Sequence, residues 1–320
     1  MCGKSIPKSG MKLDGKELSR IILGTHSFGT ATPQTTAFSL MDLYVGAGGN
    51  VLDTAAAYGD GISERCIGRW MAERKNREQI VLCSKCGNPE LRDGRFIRHR
   101  INKEDIRADI ERGLENLGTD HFDVYFVHKD DPSLAPAQVI DLFQEYLRNG
   151  TIRHLGASNW SLQRIGQAND YAREHGLRGL EFSELAFSLQ ELDANWEANE
   201  ERMIQMGKAD FSGYCENRMP VFGFNAQAYG YFYKNFDLSE EEMSGSAANK
   251  GTLMRLREVC QKENITVWQG LFGAYFGSGI QSFPIVTTSK EEHLLDVINN
   301  CDVTLSHADA RYIFGKRFFD

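Results

Sequence analysis

Four side chains stand out for what they could do together: Asp53, Tyr58, Lys85 and His128. A carboxylate, a phenol, an ammonium and an imidazole are the groups that hold, donate and accept protons in catalysis. Asp53, Lys85 and His128 each fall at or just beyond the end of a short apolar run, and Tyr58 follows Asp53 by five residues. Other runs end in polar residues too: Thr25 and His26, Ser158 and Asn159, Glu184, Asn225, and Thr287 to Ser289. A polar or ionisable group at every such end does more than pack.

Eight apolar runs supply those ends: Ile21–Gly24, Val51–Asp53, Ile80–Ser84, Phe122–His128, Ile152–Ala157, Leu180–Leu185, Pro220–Phe224 and Phe283–Thr287. They are rich in β-branched and aromatic residues and do not alternate cleanly with polar ones, which is the pattern of strands covered on both faces. Segments of helical period separate them. Ile106, Ile110, Leu114 and Leu117 form one apolar stripe, with Asn102 placed to cap it and Gly118 to stop it. Cys66, Ile67, Trp70 and Met71 form another, and Val139, Ile140, Phe143 and Leu147 a third. Eight strands alternating with helices predict a single-domain (β/α)8 TIM barrel over residues 1–320. In such a barrel the strand ends that carry these polar groups form one face, where active sites sit. The rhythm breaks at 188–219 and 233–252, after the sixth and seventh strands. We expect long loops there, with the second acting as a cofactor clamp.

The composition excludes several classes. Lys+Arg total 36 against 44 Asp+Glu, a net charge of −8, and this argues against a nucleic-acid partner. No apolar run reaches the roughly 18 residues of a membrane span, and the first residues lack a secretory h-region, so the expected location is cytoplasmic. Seven scattered cysteines, an odd number, read as reduced thiols. Within Cys83-Ser84-Lys85-Cys86, strand alternation puts Cys83 on the face of Lys85 and Cys86 on the other, so no metal site is expected.

The stretches NVLDTAAAYGDGISERCIGRW, VLCSK, FDVYFVH, IRHLGASNW and FPIVTTSKEEHLLD resemble, in order and spacing, the signatures of the aldo-keto reductases. The likeness runs from Leu23 to about Val297. It implies reduction of an aldehyde or ketone with NADP(H) or NAD(H), or the reverse oxidation. In that reading Tyr58 donates the proton, Lys85 lowers the phenol's pKa, Asp53 pairs with Lys85, and His128 orients the carbonyl.

The resemblance also assigns cofactor contacts: Ser158 and Asn159 to the nicotinamide carboxamide, Phe224 to the ring, Asn225 to Gln227 to the pyrophosphate, and Asp296 to the adenine end. Thr25 and Thr288 complete the set. Ser289, Lys290 and His293 occupy the 2′-phosphate region, where many relatives carry Arg in place of His293. NADP(H) is expected, with NAD(H) as the alternative. Glu184 stands where the family has Gln, and a carboxylate there is expected to favour the oxidised cofactor. His26, Lys129 and Trp160 near the mouth suggest a polar pocket for a small carbonyl or alcohol such as a sugar or polyol. Two other readings remain open: a cofactor-sensing regulatory subunit, and an isomerase or lyase that holds its cofactor tightly. The sequence does not specify an oligomeric state.

Overall fold

A computed structural model describes residues 4–93, 95–192 and 203–319. Twelve strands are described, numbered here in chain order. A hairpin, β1 (Lys8–Leu13) and β2 (Lys16–Ser19), leads in and turns at Asp14-Gly15. Eight parallel strands then close on themselves: β3 (Ile22–Gly24), β4 (Val51–Asp53), β5 (Val81–Cys86), β8 (Phe122–Val127), β9 (Ile152–Ser158), β10 (Phe182–Ala186), β11 (Val221–Phe224) and β12 (Ser282–Val286). Each pairs with its neighbour in sequence, and β12 returns to β3 through Ile285↔Ile22 and Val286↔Leu23. An antiparallel pair, β6 (Glu90–Arg92) and β7 (Arg95–Arg98), projects after β5. The expected (β/α)8 barrel is the fold.

Two cores result from alternation along the strands. Inside the barrel lie Ile22, Val51, Val81, Cys83, Val124, Phe126, Phe182, Phe222 and Phe283, closed below by Leu13 and Leu18 of the hairpin. The rings of Phe126, Phe182 and Phe283 each pack on Phe222 at 5.4–5.6 Å. Gly156 makes room for them, since a Cβ there would stand 2.5 Å from the Phe126 ring. The outward residues, such as Leu23, Leu52, Leu82, Tyr125 and Leu155, join the helices in the second core. Cys83 faces inward and Cys86 outward, as the alternation predicts.

The helices begin and end where local chemistry dictates. The Asn102 side chain accepts from the Asp105 amide to cap Lys103–Leu117, and Gly118 ends that helix at φ 62. Beneath the barrel, Asp123 gathers Arg77 at 2.8 Å, Arg153 at 3.4 Å and Lys16 at 3.6 Å, which ties the hairpin to the strands above it. Among the described residues no helix is long and apolar enough to cross a membrane.

Candidate active site

Inward alternation also delivers charge to the barrel's upper rim. Val51 points into the interior core and so does Asp53 two residues on; Cys83 is followed in the same way by Lys85, and Phe182 by Glu184. The Lys85 side chain is fully buried. Its Nζ lies 2.5 Å from Asp53 Oδ1, 3.4 Å from Glu184 Oε1 and 3.3 Å from Tyr58 Oη, and it donates to the Thr54 carbonyl at 3.0 Å. Tyr58 hangs from a tight turn in which Asp60, Gly59 and Gly61 all have positive φ. The helix that follows, Ile62–Arg74, is anchored at Ser63, whose hydroxyl donates to the Thr25 carbonyl at 2.8 Å.

The electrostatics follow from burial opposed by this one ammonium. Burial works against the Lys85 charge, but Asp53 and Glu184 outweigh it and hold the group well above its ordinary range. Burial raises the Asp53 carboxyl, with Lys85 opposing. It pushes Glu184 up to about 8, with Asp53 adding to the rise and Lys85 opposing. Tyr58 is also raised: burial outweighs Lys85, and the two carboxylates reinforce it. The expected lowering by Lys85 is therefore present as one contribution, and desolvation overrides it. His128 is held neutral, mainly by burial and secondly by Lys85 and Lys129. Its ring meets Tyr58 edge-on at 5.9 Å, and Nδ1 has no partner.

A cleft of about 820 Å³ opens above these groups. Thr25, His26, Asp53, Tyr58, His128, Lys129, Ser158, Asn159, Glu184, Phe224, Asn225, Gln227, Thr288, Ser289, His293 and Asp296 all line it. Three of the sequence-derived residues do not: Lys85 lies fully buried beneath Asp53 and Tyr58, and Trp160 and Lys290 sit elsewhere. Trp160 is buried beneath the Arg164 guanidinium, because Asn159 adopts a left-handed φ of 59 and turns the chain away from the mouth. Lys290 is exposed and directs its ammonium toward Glu292 at 3.7 Å.

Several lining residues have committed their polar atoms. Asn159 donates to the His128 carbonyl at 3.2 Å and to Ser158 Oγ at 3.1 Å, and accepts from the Ile204 amide. Gln227 accepts from the Thr287 amide at 2.8 Å, which locks the β11 loop to the end of β12. Glu184 Oε2 and Asn225 Nδ2, by contrast, are buried and unpartnered.

Sequence reasoning missed Asn88, Met203, Tyr229, Tyr233, Lys234 and Trp268 on the cleft wall. Tyr229 is 71% exposed at φ 52, and Tyr233 stacks on Trp268 at 5.5 Å. The aromatic run after Gln227, Tyr229 to Tyr233, was the available signal. The long loop expected at 233–252 is instead the end of the short helix Tyr231–Asn235, a turn and the start of the helix Ala247–Glu263, and of this stretch only Tyr233 and Lys234 line the cleft. The remainder is tied to the helix Ala247–Glu263 through Arg257, which donates to the Asn235 and Leu238 carbonyls. Of the loop expected at 188–219, residues 193–202 lie outside the described residues. Its C-terminal part bridges Ala186 to Gln205 and forms the helix Lys208–Asn217.

A lysine–carboxylate pair under a tyrosine and a neutral histidine, at the rim of a (β/α)8 barrel, defines a class of oxidoreductase. The sequence matches the Aldo/keto reductase family over residues 20–316. Norsolorinic acid reductase of Aspergillus flavus is 26% identical over 96% of this chain and 79% of its own length. An uncharacterized oxidoreductase of Bacillus subtilis is 32% identical over 91% of this chain and 90% of its own. The holo form of an aldo-keto reductase from Bacillus halodurans superposes with a TM-score of 0.72 at 20% identity, covering 98% and 97% of the two chains. The chain belongs to the aldo/keto reductase family and is an NAD(P)H-dependent oxidoreductase of carbonyl substrates.

Proposed function

We propose that the cleft binds NADP(H) or NAD(H) along its length and interconverts a small carbonyl compound and its alcohol, with Tyr58 as the general acid and base. One observation carries this reading: Lys85 Nζ stands 3.3 Å from Tyr58 Oη and 2.5 Å from Asp53, buried beneath these two residues of the lining of a cleft of about 820 Å³. The unpartnered Glu184 Oε2 and Asn225 Nδ2 fit a nicotinamide dinucleotide, because both are buried polar atoms awaiting a ligand. Ser158, Glu184 and Phe224 would hold the nicotinamide end. Asn225 and Gln227 would hold the pyrophosphate, and Ser289, His293 and Asp296 the adenosine end. When bound, the cofactor supplies the hydride that no side chain can.

The chain's own residues supply the proton and the orientation. Reduction builds negative charge on the substrate oxygen, and Tyr58 Oη protonates it while Lys85 stabilises the phenolate left behind. Asp53 keeps Lys85 charged and fixed. Neutral His128 offers a hydrogen bond to the carbonyl without taking the proton itself. His26 and Lys129, beside Tyr58 and His128, favour a polyhydroxylated substrate such as a sugar or polyol. Absorbance assays with NADPH and NADH against aldoses, polyols and simple ketones test the reading. It fails if Tyr58→Phe retains full turnover.

Glu184 favours a second reading, in which tightly held cofactor serves a transient oxidation within an isomerase or lyase. Turnover without net consumption of NAD(P)(H) is its signature.

A further inference from the structure

The Lys85 ammonium has a carboxyl on each side, Asp53 from β4 at 2.5 Å and Glu184 from β10 at 3.4 Å. Both carboxyls are about 3% exposed. With both ionised the buried triad would carry a net negative charge, and Glu184 Oε2 would be a charged atom with no partner, an arrangement that burial penalises heavily. A proton on one carboxyl relieves this, and it belongs on Glu184, the more distant from the ammonium. The other groups facing Glu184 do not alter this balance. Ser158 from β9 donates to Oε1 at 3.4 Å, Cys83 on β5 and Tyr58 are neutral, and Phe222 is its apolar register partner on β11. His128 is neutral; His26 and Lys129 also line the cleft, and among the surrounding charges those of Asp53 and Lys85 act most on Glu184. Burial accordingly pushes the Glu184 carboxyl up to about 8, Asp53 adding and Lys85 opposing.

We propose that Glu184 holds the spare proton of the Asp53–Lys85–Glu184 triad and gives it up to solvent when the oxidised cofactor binds, so that occupancy by NAD(P)+ and by NAD(P)H differs by one proton. This inference rests on the reading that the nicotinamide lies against Glu184. A cationic ring on that wall stabilises the carboxylate, whereas the neutral reduced ring does not. Linkage sets the sign. Affinity for the oxidised form rises with pH by up to tenfold per unit while the free site is protonated, and levels off above about 8. Affinity for the reduced form does not share that rise. Gln at this position could not exchange a proton.

Calorimetric titration near neutral pH in two buffers of different ionisation enthalpy counts the protons. Wild-type protein should release close to one more proton per site with NADP+ than with NADPH, and Glu184→Gln should show no difference. The 2′-phosphate is common to both ligands and cancels. Equal counts for the two redox forms in wild type, or a difference that survives in Glu184→Gln, would overturn the proposal. Infrared difference spectra of the wild type give an answer that needs no variant. A protonated-carboxyl band should disappear on adding NADP+ and persist with NADPH, and a spectrum without that band overturns the idea. Failure of both forms to bind sinks the functional reading and this inference with it, whereas binding with equal proton counts sinks the inference alone.

Discussion

Tyr58 Oη and Lys85 Nζ, brought from a loop and from a strand 27 residues apart, lie 3.3 Å from each other at the barrel rim. Because desolvation raises the phenol despite this contact, Tyr58 is a neutral donor at rest, with the ammonium ready to stabilise its anion. Tyr58→Phe keeps the ring and removes the proton. The expected loss in turnover is about 10²–10⁴-fold, with the dissociation constant for NADPH nearly unchanged, as fluorescence titration would measure. A matching loss of cofactor affinity would assign Tyr58 to binding instead.

Lys85 is also a structural keystone. Removing its charge strands Asp53 in the barrel interior, so Lys85→Met should destabilise the fold by about 3–5 kcal/mol, read as a lower urea midpoint. Adding Asp53→Asn to Lys85→Met removes the stranded charge and should recover part of that loss. A double variant no more stable than Lys85→Met would show that packing, rather than charge, accounts for the cost.

The barrel was legible because its strands are largely covered on both faces and read as short runs rich in apolar residues; Val81–Cys86 and Phe182–Ala186 differ from the expected bounds by only one or two residues at each end. Asp53, Lys85 and Glu184 were legible for a related reason, as polar residues closing such runs. The β1–β2 hairpin carried its own signal in Asp14-Gly15, but its residues are too polar to resemble the barrel strands. The short β6 and β7 are largely exposed and gave no apolar pattern. Trp160 was misplaced because a strand-end rule assumes the chain continues outward, whereas Asn159 turns it at φ 59. Tyr229, Tyr233 and Trp268 reach the cleft from a short turn and a neighbouring helix, a juxtaposition that depends on tertiary packing and is not encoded in local period.

At the barrel's lower end, His154 bridges Glu181 at 2.7 Å and Asp14 of the hairpin turn at 3.3 Å. Burial disfavours its charge, but the two carboxylates outweigh it and raise the imidazole above its ordinary value. The folded state therefore binds this proton more tightly than the unfolded chain. Its stabilisation is fully present below about pH 6.5, the unfolded value, and is lost as pH rises through the folded value. Melting temperatures of wild type and His154→Gln should differ most near pH 6 and converge in alkali. A gap that widens with pH would rule out the charged bridge.

In the proposed binding mode the end of the cleft that would take the adenosine sets the choice between NADP(H) and NAD(H). Ser289 and His293 line it, while Lys290, three residues before His293, directs its charge toward Glu292. In the proposed binding mode the residue that would face a 2′-phosphate is thus an imidazole, which lacks the permanent charge and forked donors of a guanidinium. His293→Arg should tighten NADPH by about 1.5–3 kcal/mol, the range of a hydrogen bond to a charged group, and leave NADH nearly unaffected. Lys290→Ala should change little, because that ammonium faces away from the cleft. Parallel fluorescence titrations of both variants with NADPH and NADH separate the contributions. If Lys290→Ala weakens NADPH selectively and His293→Arg has no effect, the phosphate is held by the lysine after a rearrangement of the turn at Thr288, where Oγ1 now accepts from the Lys290 amide.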